Sequence, residues 1–467
     1  MMPNNPANNQ SIYLPTTTSM TPSMTLPQPV SYILDKLTEN NHKAYIVGGC
    51  VRDILLNKTP KDWDITTSAT PEEVTRIFKE DYTVIPTGIS HGTVTIITDD
   101  DAYEITTFRI DGKYSDKRRP DNVEFTSSIE EDLSRRDFTI NAMAYNPIEG
   151  LIDPFDGRQD IQDNIIRCVG NPIDRFDEDP LRMLRAIRFS GRLGFTISQE
   201  TFDAIINKHT LIEKISSERI NKELSEILIN DFSKTHILML LSGLTQVILP
   251  ELANCLGVKQ VNPYHKYDVY EHSVYTLSHI PQTLYLKLTM LFHDLGKVST
   301  KITDELGIDH FYGHAKVSAY MALRILKRLK YDNNTISKVF TLIKYHDAEI
   351  HPTIKSVKRW LNKLGEDVLR DLIKVKFSDM KAQSKFSYEN KWHKLTAISI
   401  LLNQVIAEQS CFSKKDLAIN GNDLIKLGIP QGKCIGKVID ILVELVIDNP
   451  DMNNKESLTE YALKLYY

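Results

Sequence analysis

Two short patterns in the first third of the chain combine residue types suited to phosphate and metal chemistry. Gly48 and Gly49 follow an apolar run at 44–47 and precede a predicted helix with Arg52 in its first turn. Glycines let the backbone approach a ligand closely, and a helix start directs N–H groups at an anion. A guanidinium adds a fork of donors for phosphate oxygens. Asp62 and Asp64 are two apart on a predicted strand, which puts both carboxylates on one face. Paired hard-oxygen ligands facing a triphosphate suit a Mg²⁺ pair that assists in-line attack on phosphorus. Taken singly, Gly-Gly is a turn and Asp-x-Asp a solvated strand end. Their order and spacing within 44–66 favour the chemical reading.

Residues 134–144 read SRRDFTINAMA. Arg135 and Arg136 can meet phosphates, Asp137 can accept from a ribose hydroxyl, and Asn141 follows one helical turn later. Arg136, adjacent to Asp137, is the expected nucleotide contact of the pair. Residues 178–195, EDPLRMLRAIRFSGRLGF, place Arg182, Arg185, Arg188 and Arg192 within about a third of a helix circumference, at roughly 100° per residue. Glu178 and Asp179 stand one turn before Arg182. Such charges usually form a salt-bridged amphipathic helix, but they can also read a base. Cytosine and adenine present an amine donor beside a ring-nitrogen acceptor, and uracil and guanine reverse that polarity. A carboxylate beside a guanidinium therefore selects C and A without a template.

A third set, His272, His293-Asp294, His314, His346 and Asp379, falls on predicted helices. Imidazole plus carboxylate suits borderline to hard divalent metals.

G-G-x-V-R-D followed by D-W-D on the next strand resembles the class II nucleotidyltransferases, the tRNA CCA-adding enzymes and bacterial poly(A) polymerases. The resemblance implies that Asp62 and Asp64 hold Mg²⁺ ions, which activate the tRNA 3′-hydroxyl and neutralise CTP or ATP as pyrophosphate leaves. It implies that Gly48, Gly49, Arg52, Arg136, Asp137 and Asn141 hold triphosphate and ribose, and that Asp179 and Arg182 choose the base. Arg185 and Arg188 would approach nucleotide or primer phosphates. Glu104, on the second of two alternating segments (HGTVTIIT and AYEITTFR), is either a third carboxylate, as in polymerase-β-like folds, or a solvent-facing strand residue. The polar segment 109–119, RIDGKYSDKRR, resembles the flexible loop of full CCA- and A-adding enzymes. The histidine set resembles an HD phosphohydrolase domain, with His272, His293, Asp294 and Asp379 as ligands of an unidentified divalent metal and His314 and His346 completing a second site.

To position these groups the chain needs an α+β architecture. A polymerase-β-like head, a mixed sheet with helices, is expected over 29–150, after a disordered tail at 1–28. Thr70 and Pro71 open one of its helices. The resemblance then implies a helical neck (151–250), an HD body (251–383) and a helical tail (384–467) that holds the tRNA acceptor end and T arm. The LGIPQGKCIG stretch in that tail reads equally as a phosphate-binding or a helix–helix turn. A length of 467 residues exceeds one ordinary core. The formal charge of −5 means that RNA binding needs a local basic face. Five scattered cysteines without C-x-x-C point to a reducing compartment and exclude a disulfide framework. With neither a membrane-length apolar run nor a signal-peptide pattern, a cytoplasmic location is expected. The expected function is addition of CCA to tRNA from CTP and ATP. An A-adding enzyme and a poly(A) polymerase, to which PTGISHGTVTI is less similar, are the alternatives in the same class. A metal-dependent phosphohydrolase whose head only binds RNA is the alternative from another class.

Overall fold

The computed structural model describes residues 24–98, 101–112, 114, 117, 122–408 and 413–466. Most of the expected tail, and much of the 109–119 loop, lie outside these residues. The chain divides into two compact units, one ending at Asn171 and the other beginning at Pro172.

The first unit contains α1 (Gln28–Glu39), β1 (Ala44–Val47), α2 (Gly49–Leu55), β2 (Asp64–Thr67), α3 (Pro71–Phe78), β3 (Thr83–Gly88), β4 (Thr93–Ile97), β5 (Ala102–Thr107), β6 (Arg109–Asp111), β7 (Val123–Phe125), α4 (Ile129–Ser134), β8 (Ala144–Asn146), β9 (Gly150–Ile152) and α5 (Gly157–Gln162). Among the described residues, seven of these strands form one mixed sheet in the order β3-β4-β5-β2-β1-β8-β9. The wholly buried β1, AYIV, lies antiparallel to both β2 and β8. A continuous apolar strand belongs in such a place, where both faces are covered. β2 runs parallel to β5 and sets Asp64 opposite Glu104. At the start of α3 the Thr70 hydroxyl accepts the Glu73 N–H at 3.3 Å, and the Glu73 carboxylate accepts the Thr70 N–H at 2.9 Å. This is the capping box that Thr70 foreshadows.

Four local features depart from the sequence reading. Asp62 lies in a bend before β2, which begins only at Asp64, so the two aspartates do not share a strand. β3 was not among the expected strands, and its Pro86 cannot donate to a ladder. It is tolerated at the sheet edge, where the register is broken between Ile85 and Gly88. Residues 134–144 are not a helix: α4 stops at Ser134, Phe138 is extended and 139–141 form a single 3₁₀ turn. The Asp137 carboxylate accepts the Phe138 N–H at 2.9 Å and so competes with helix formation. Finally, Met24 is buried and its N–H donates to the Tyr145 hydroxyl at 3.3 Å, so the ordered chain begins ahead of residue 29.

The connector beyond 150 packs with this unit rather than with the helices that follow. Thr139 N–H donates to the Arg167 carbonyl at 3.0 Å, Thr139 Oγ1 to Asp160 Oδ2 at 2.7 Å, and Val169 joins the core around Tyr45 and Phe108.

The second unit is largely helical: α6 (Pro172–Glu178), α7 (Leu181–Leu193), α8 (Gln199–Lys208), α9 (Ser217–Leu241), α10 (Leu244–Ile248), α11 (Pro250–Ala253), α12 (Val269–Leu277), α13 (Leu284–Phe292), α14 (Lys297–Thr300), α15 (His314–Arg328), α16 (Asn333–Tyr345), α17 (Ile354–Leu364), α18 (Glu366–Lys381), α19 (Tyr388–Ala407), α20 (Gly421–Lys426), α21 (Lys433–Asp448) and α22 (Lys455–Tyr466). The stretch 178–195 is not one helix, since Asp179 and Pro180 separate α6 from α7. The last three helices share a small core of their own around Leu424, Leu442 and Leu458. The LGIPQG stretch joins α20 to α21. Among the described residues no helix is long and apolar enough to cross a membrane.

The docking of the connector gives a direct test. A Cβ at Gly157 would stand 2.3 Å from the Thr139 carbonyl oxygen. Gly157→Ala is expected to destabilise the protein by about 2 kcal/mol, read as a lower urea midpoint by circular dichroism.

Candidate active site

In the first unit, a cavity of about 240 Å³ is lined by Val47, Asp64, Ile65, Thr93, Thr106, Arg109, Arg135 and Arg136. Both Asp62 and Asp64 are exposed, and Asp64 opens β2 at the cavity. The parallel register brings the exposed Glu104 beside Asp64, with the two side chains on one face. Desolvation by the surrounding protein raises the Asp64 carboxyl above its ordinary value, against the pull of Arg136, and repulsion from Asp62 adds to the rise. A cation there would relieve that repulsion.

Three arginines line the cavity, and Asp132 holds the guanidinium groups of Arg135 and Arg136 and the backbone of Arg109. Its Oδ1 accepts from Arg135 Nη2 at 2.7 Å and Nε at 3.0 Å and from the Arg109 backbone N–H at 3.3 Å. Its Oδ2 accepts from Arg136 Nη2 at 3.4 Å. Burial alone would raise the Asp132 carboxyl, but Arg135 and Arg136 outweigh it and hold it below 3.8. Arg109 pairs with Asp111 at 3.1 Å, and the buried Nε of Arg136 has no hydrogen-bond partner.

The other nucleotide residues divide into two groups. Gly48 adopts φ +79°, and a Cβ there would meet Arg136 Nη1 at 3.0 Å, so only glycine leaves the arginine in place. Gly49 begins α2. Arg52 is not held out toward solvent. It is 3% exposed, donates Nε and Nη2 to Asp53 Oδ1 at 2.9 and 2.7 Å, and reaches Asn141 Oδ1 at 2.5 Å. Asn141 in turn donates Nδ2 to Asp137 Oδ1 at 3.2 Å. The expected Asp137–Asn141 contact therefore exists without the expected helix, and Arg52 anchors it.

In the second unit, acid and base stand together as expected but pair differently. Arg182 Nη1 donates to Glu178 Oε2 at 2.7 Å, while Asp179 accepts a two-pronged contact from Arg219 at 3.1 and 2.7 Å. Arg188 Nε donates to Glu223 Oε2 at 2.6 Å, and Arg185 lies 4.0 Å from the same carboxylate. The arginine stripe thus packs partly against α9, and Arg188 is largely buried.

The histidine set converges fully. His272 Nε2 lies 2.9 Å from Asp379 Oδ1 and 3.5 Å from Asp294 Oδ2, and His293 Nε2 lies 3.3 Å from the latter. The other oxygen of Asp294 lies 3.4 Å from His314 Nε2 and 3.6 Å from His346 Nε2. Asp294 therefore joins two three-ligand groups, His272/His293/Asp294 and Asp294/His314/His346, both buried. Nδ1 of His293, His314 and His346 stands 2.7, 2.8 and 2.7 Å from the carbonyl oxygens of Met290, Phe311 and Ile343. Carbonyls only accept, so each Nδ1 carries a proton and Nε2 is the atom that each ring directs inward. Facing Nε2 atoms at 3.3 and 3.2 Å would repel as bare lone pairs, and a proton or a metal ion between them relieves that repulsion. Burial would depress the His293 ring, but Asp294 and Asp379 push it up to about 10.

With this geometry in hand, the comparisons with known proteins are decisive. Residues 44–167 match the family described as "Poly A polymerase head domain", 194–256 the one described as "Probable RNA and SrmB-binding site of polymerase A", and 303–462 the one described as "tRNA nucleotidyltransferase domain 2 putative". A CCA-adding enzyme of Ligilactobacillus salivarius is 34% identical over 458 residues, covering 93% of this chain and 95% of its own length. The chain belongs to the CCA-adding enzyme family. Another member, from Anoxybacillus flavithermus, is 34% identical over 436 residues, covering 92% of this chain and 95% of itself. The structure of the Bacillus stearothermophilus CCA-adding enzyme in complex with CTP has a TM-score of 0.73 at 28% identity, covering 95% of this chain and 98% of that one. The Thermotoga maritima CCA-adding enzyme complexed with tRNA-CCA, 21% identical with a TM-score of 0.57, shares the fold. Membership makes the chain a nucleotidyltransferase of α+β fold, and the family implies use of a divalent metal.

Several residues of this family member's sites escaped the sequence reading. Asp132 is three and four residues before Arg135 and Arg136, a spacing that signals contact on a helix. Arg109 was visible only as part of a basic loop, although it begins β6 and lines the cavity. Arg219 and Glu223, on a helix distant in sequence, gave no local signal. His265, packed edge-on against His272 with ring centres 5.4 Å apart, is pushed down to about 3 by burial and by Lys297.

Asp132 yields a prediction with a defined sign. Its folded-state value lies below its ordinary 3.8, so the stabilisation is complete near neutral pH and is lost as the pH falls through 3.8 toward the folded value. Asp132→Asn is expected to cost about 3 kcal/mol at pH 7. In urea titrations across pH, that deficit relative to the natural sequence should shrink in acid.

Proposed function

We propose that this protein adds CCA to the 3′ end of tRNA, drawing on CTP and ATP with Mg²⁺, in the cytoplasm. The observation that carries the reading is one cavity lined by Asp64 together with Arg109, Arg135 and Arg136. It supplies hard oxygens for a metal and forked donors for a triphosphate in the same place, as phosphoryl transfer requires. The similarity to a CTP-bound CCA-adding enzyme supports the same choice of substrate.

In this mechanism Asp62 and Asp64 would hold Mg²⁺, with Glu104 as a third carboxylate. When bound, the metal lowers the pKa of the tRNA 3′-hydroxyl and offsets charge on the departing pyrophosphate. Arg109, Arg135 and Arg136 receive the triphosphate, and Gly48 and Gly49 allow it close to the backbone. Arg52 fixes Asn141, which with Asp137 meets the ribose. Asp179 accepts from the exocyclic amine of cytosine or adenine, and Arg182 donates to the adjacent ring nitrogen. Arg185 and Arg188 line the route to phosphate, with Glu223 setting their spacing. The C-terminal helices hold the acceptor end and T arm by backbone and shape contacts.

The converging histidines favour a second, accessory activity, metal-dependent phosphohydrolysis by an HD-type centre. His272, His293 and Asp294, and Asp294 with His314 and His346, would hold divalent metal there, which would supply Lewis-acid activation of water. The cavities at its mouth, of about 320 and 240 Å³, hold Lys297 in one and Lys376, Lys391 and Lys394 in the other, which suits an anionic phosphate ester.

Two measurements test these readings. Asp62→Asn and Asp64→Asn should each reduce nucleotide addition to tRNA by about 1,000-fold, whereas His293→Ala should leave it unchanged. Loss in the His293 variant alone would reverse the assignment of the chemistry. After incubation with Mn²⁺, Ni²⁺ or Zn²⁺ and desalting, elemental analysis should find metal on the natural sequence and at most half as much on Asp294→Ala.

A further inference from the structure

The histidine centre of the second unit borders two cavities of different chemistry, and that pairing bears on the shape of its substrate. We propose that the accessory hydrolase acts on a linear phosphodiester, one phosphate joining two nucleosides, with Tyr312 as the stacking face for one of the bases. This rests on the reading of the histidine centre as a metal-dependent phosphohydrolase.

His346, Asp347, Asp379 and Gln383 line both cavities, one of about 320 Å³ and the other of about 240 Å³. His346 and Asp379 belong to the histidine–aspartate set, so the two cavities meet at the groups that would hold the reacting phosphate. A phosphomonoester has one organic substituent and fills one cavity. A diester has two, and each finds room.

The larger cavity carries an aromatic platform. Tyr312 is 73% exposed, yet its ring is held 5.5 Å from that of His310 with the planes only 4° apart. His310 Nε2 in turn lies 2.8 Å from Asp304 Oδ2, and Asp304 Oδ1 accepts the N–H groups of Leu306 and Ile308, both at 2.9 Å. The neighbouring Asp309 accepts the Val261 N–H and the Thr303 hydroxyl, each at 2.7 Å, and pairs with Lys301 at 2.8 Å. The short hairpin that pairs Ile302 with His310 is therefore pinned, and His314 follows two residues after Tyr312. A fixed aromatic ring that stays open to solvent beside a phosphate site offers a stacking face to any base.

The smaller cavity combines buried apolar side chains, Ile350, Met380 and Ile398, with Lys376, Lys391 and Lys394. Lys376 donates to the carbonyl oxygens of His346 and Ala348, both at 2.6 Å, and its ammonium has a third N–H to offer. Lys391 donates to Gln383 Oε1, and Lys394 pairs with Glu349 at 2.6 Å. Three ammonium groups against Asp347 and Glu349 leave this cavity positive once Asp379 serves a metal. Apolar surface edged by cations suits a second nucleoside and a further phosphate attached to it. In the step itself water adds to phosphorus, the bond from phosphorus to one sugar oxygen breaks, and a proton of the water ends on that oxygen. One phosphomonoester and one free hydroxyl result.

The test compares hydrolysis of adenylyl-adenosine, its 5′-phosphorylated form, a short RNA oligonucleotide, adenosine 2′,3′-cyclic phosphate and adenosine 3′-monophosphate by the full-length protein loaded with Mn²⁺. Asp294→Ala, purified in parallel, controls for contaminating nucleases. The linear diesters are expected to exceed the monoester in kcat/KM by about tenfold or more, and Tyr312→Ala should lower the diester value by about tenfold, with Tyr312→Trp near the natural sequence. Cleavage of the dinucleotides alone would assign free dinucleotides, and cleavage of the oligonucleotide as well would extend the assignment to RNA ends. Both support the proposal. A second readout needs no turnover. Adenylyl-adenosine carrying 2-aminopurine in place of one adenine loses fluorescence on stacking. That quenching, measured without added metal and with excess CTP to fill the head, should disappear in Tyr312→Ala. Hydrolysis of the monoester or the cyclic ester without the linear diesters, or quenching unchanged in Tyr312→Ala, would overturn the proposal and leave the hydrolase reading in place. No hydrolysis of any ester above the Asp294→Ala level would overturn both.

Discussion

Arg109, Arg135 and Arg136 all border one cavity, and three guanidinium groups at such close quarters repel one another. Burial lowers the pKa of Arg109, and the charge of Arg135 lowers it further. Asp132 makes the arrangement stable. It is fully buried, stays ionised because two arginines outweigh the cost of desolvation, and also accepts the Arg109 backbone N–H. Asp111 adds a second counter-charge beside Arg109. The exposed Asp64 lines the same cavity, with Glu104 beside it in the sheet. Positive charge is thereby preorganised for a polyanion, so little rearrangement is needed when a triphosphate arrives.

The neck uses the same device in a different way. Each residue proposed to read the base has its own ionic partner, Glu178 for Arg182 and Arg219 for Asp179, and the stripe beyond is tied to α9 through Glu223. Buried and half-buried ion pairs of this kind contribute little net stability, but they fix geometry well. A template-free polymerase has to carry its specificity in side-chain orientation, which makes that exchange a favourable one. The histidine centre extends the logic to metals. Backbone carbonyls set the tautomer of three rings, and Asp294 faces both ligand groups.

What could be read from the sequence was what is local. The Gly48-Gly49 turn, the Thr70 cap and the alternating strands follow from rules that span a few residues. The order of the carboxylate, ribose and base motifs was enough to bring in the family. What was missed depends on tertiary context. The strand β3, with Pro86 at an irregular sheet edge, was not among the expected strands, and Asp137 diverted a segment that otherwise reads as helix. The break at Asp179 and Pro180 was not read, and the contact of Arg219 with Asp179 comes from α9, distant in sequence. Arg52 has the expected identity, but it anchors Asn141 from within, which no spacing rule distinguishes from an exposed phosphate hook. The histidines were legible as a set because their residue types are rare in combination. The bridging position of Asp294 was not, since it requires four helices to meet.

The central claim concerns a chain that adds C, C and A in order, and product length reads it most directly. Purified protein with Mg²⁺ and a tRNA transcript lacking CCA would receive CTP alone, ATP alone, or both, with products resolved at single-nucleotide length. The account predicts two additions with CTP, and a third only when ATP is also present. A single A placed only on tRNA already ending in CC, or a long run of A, would contradict it.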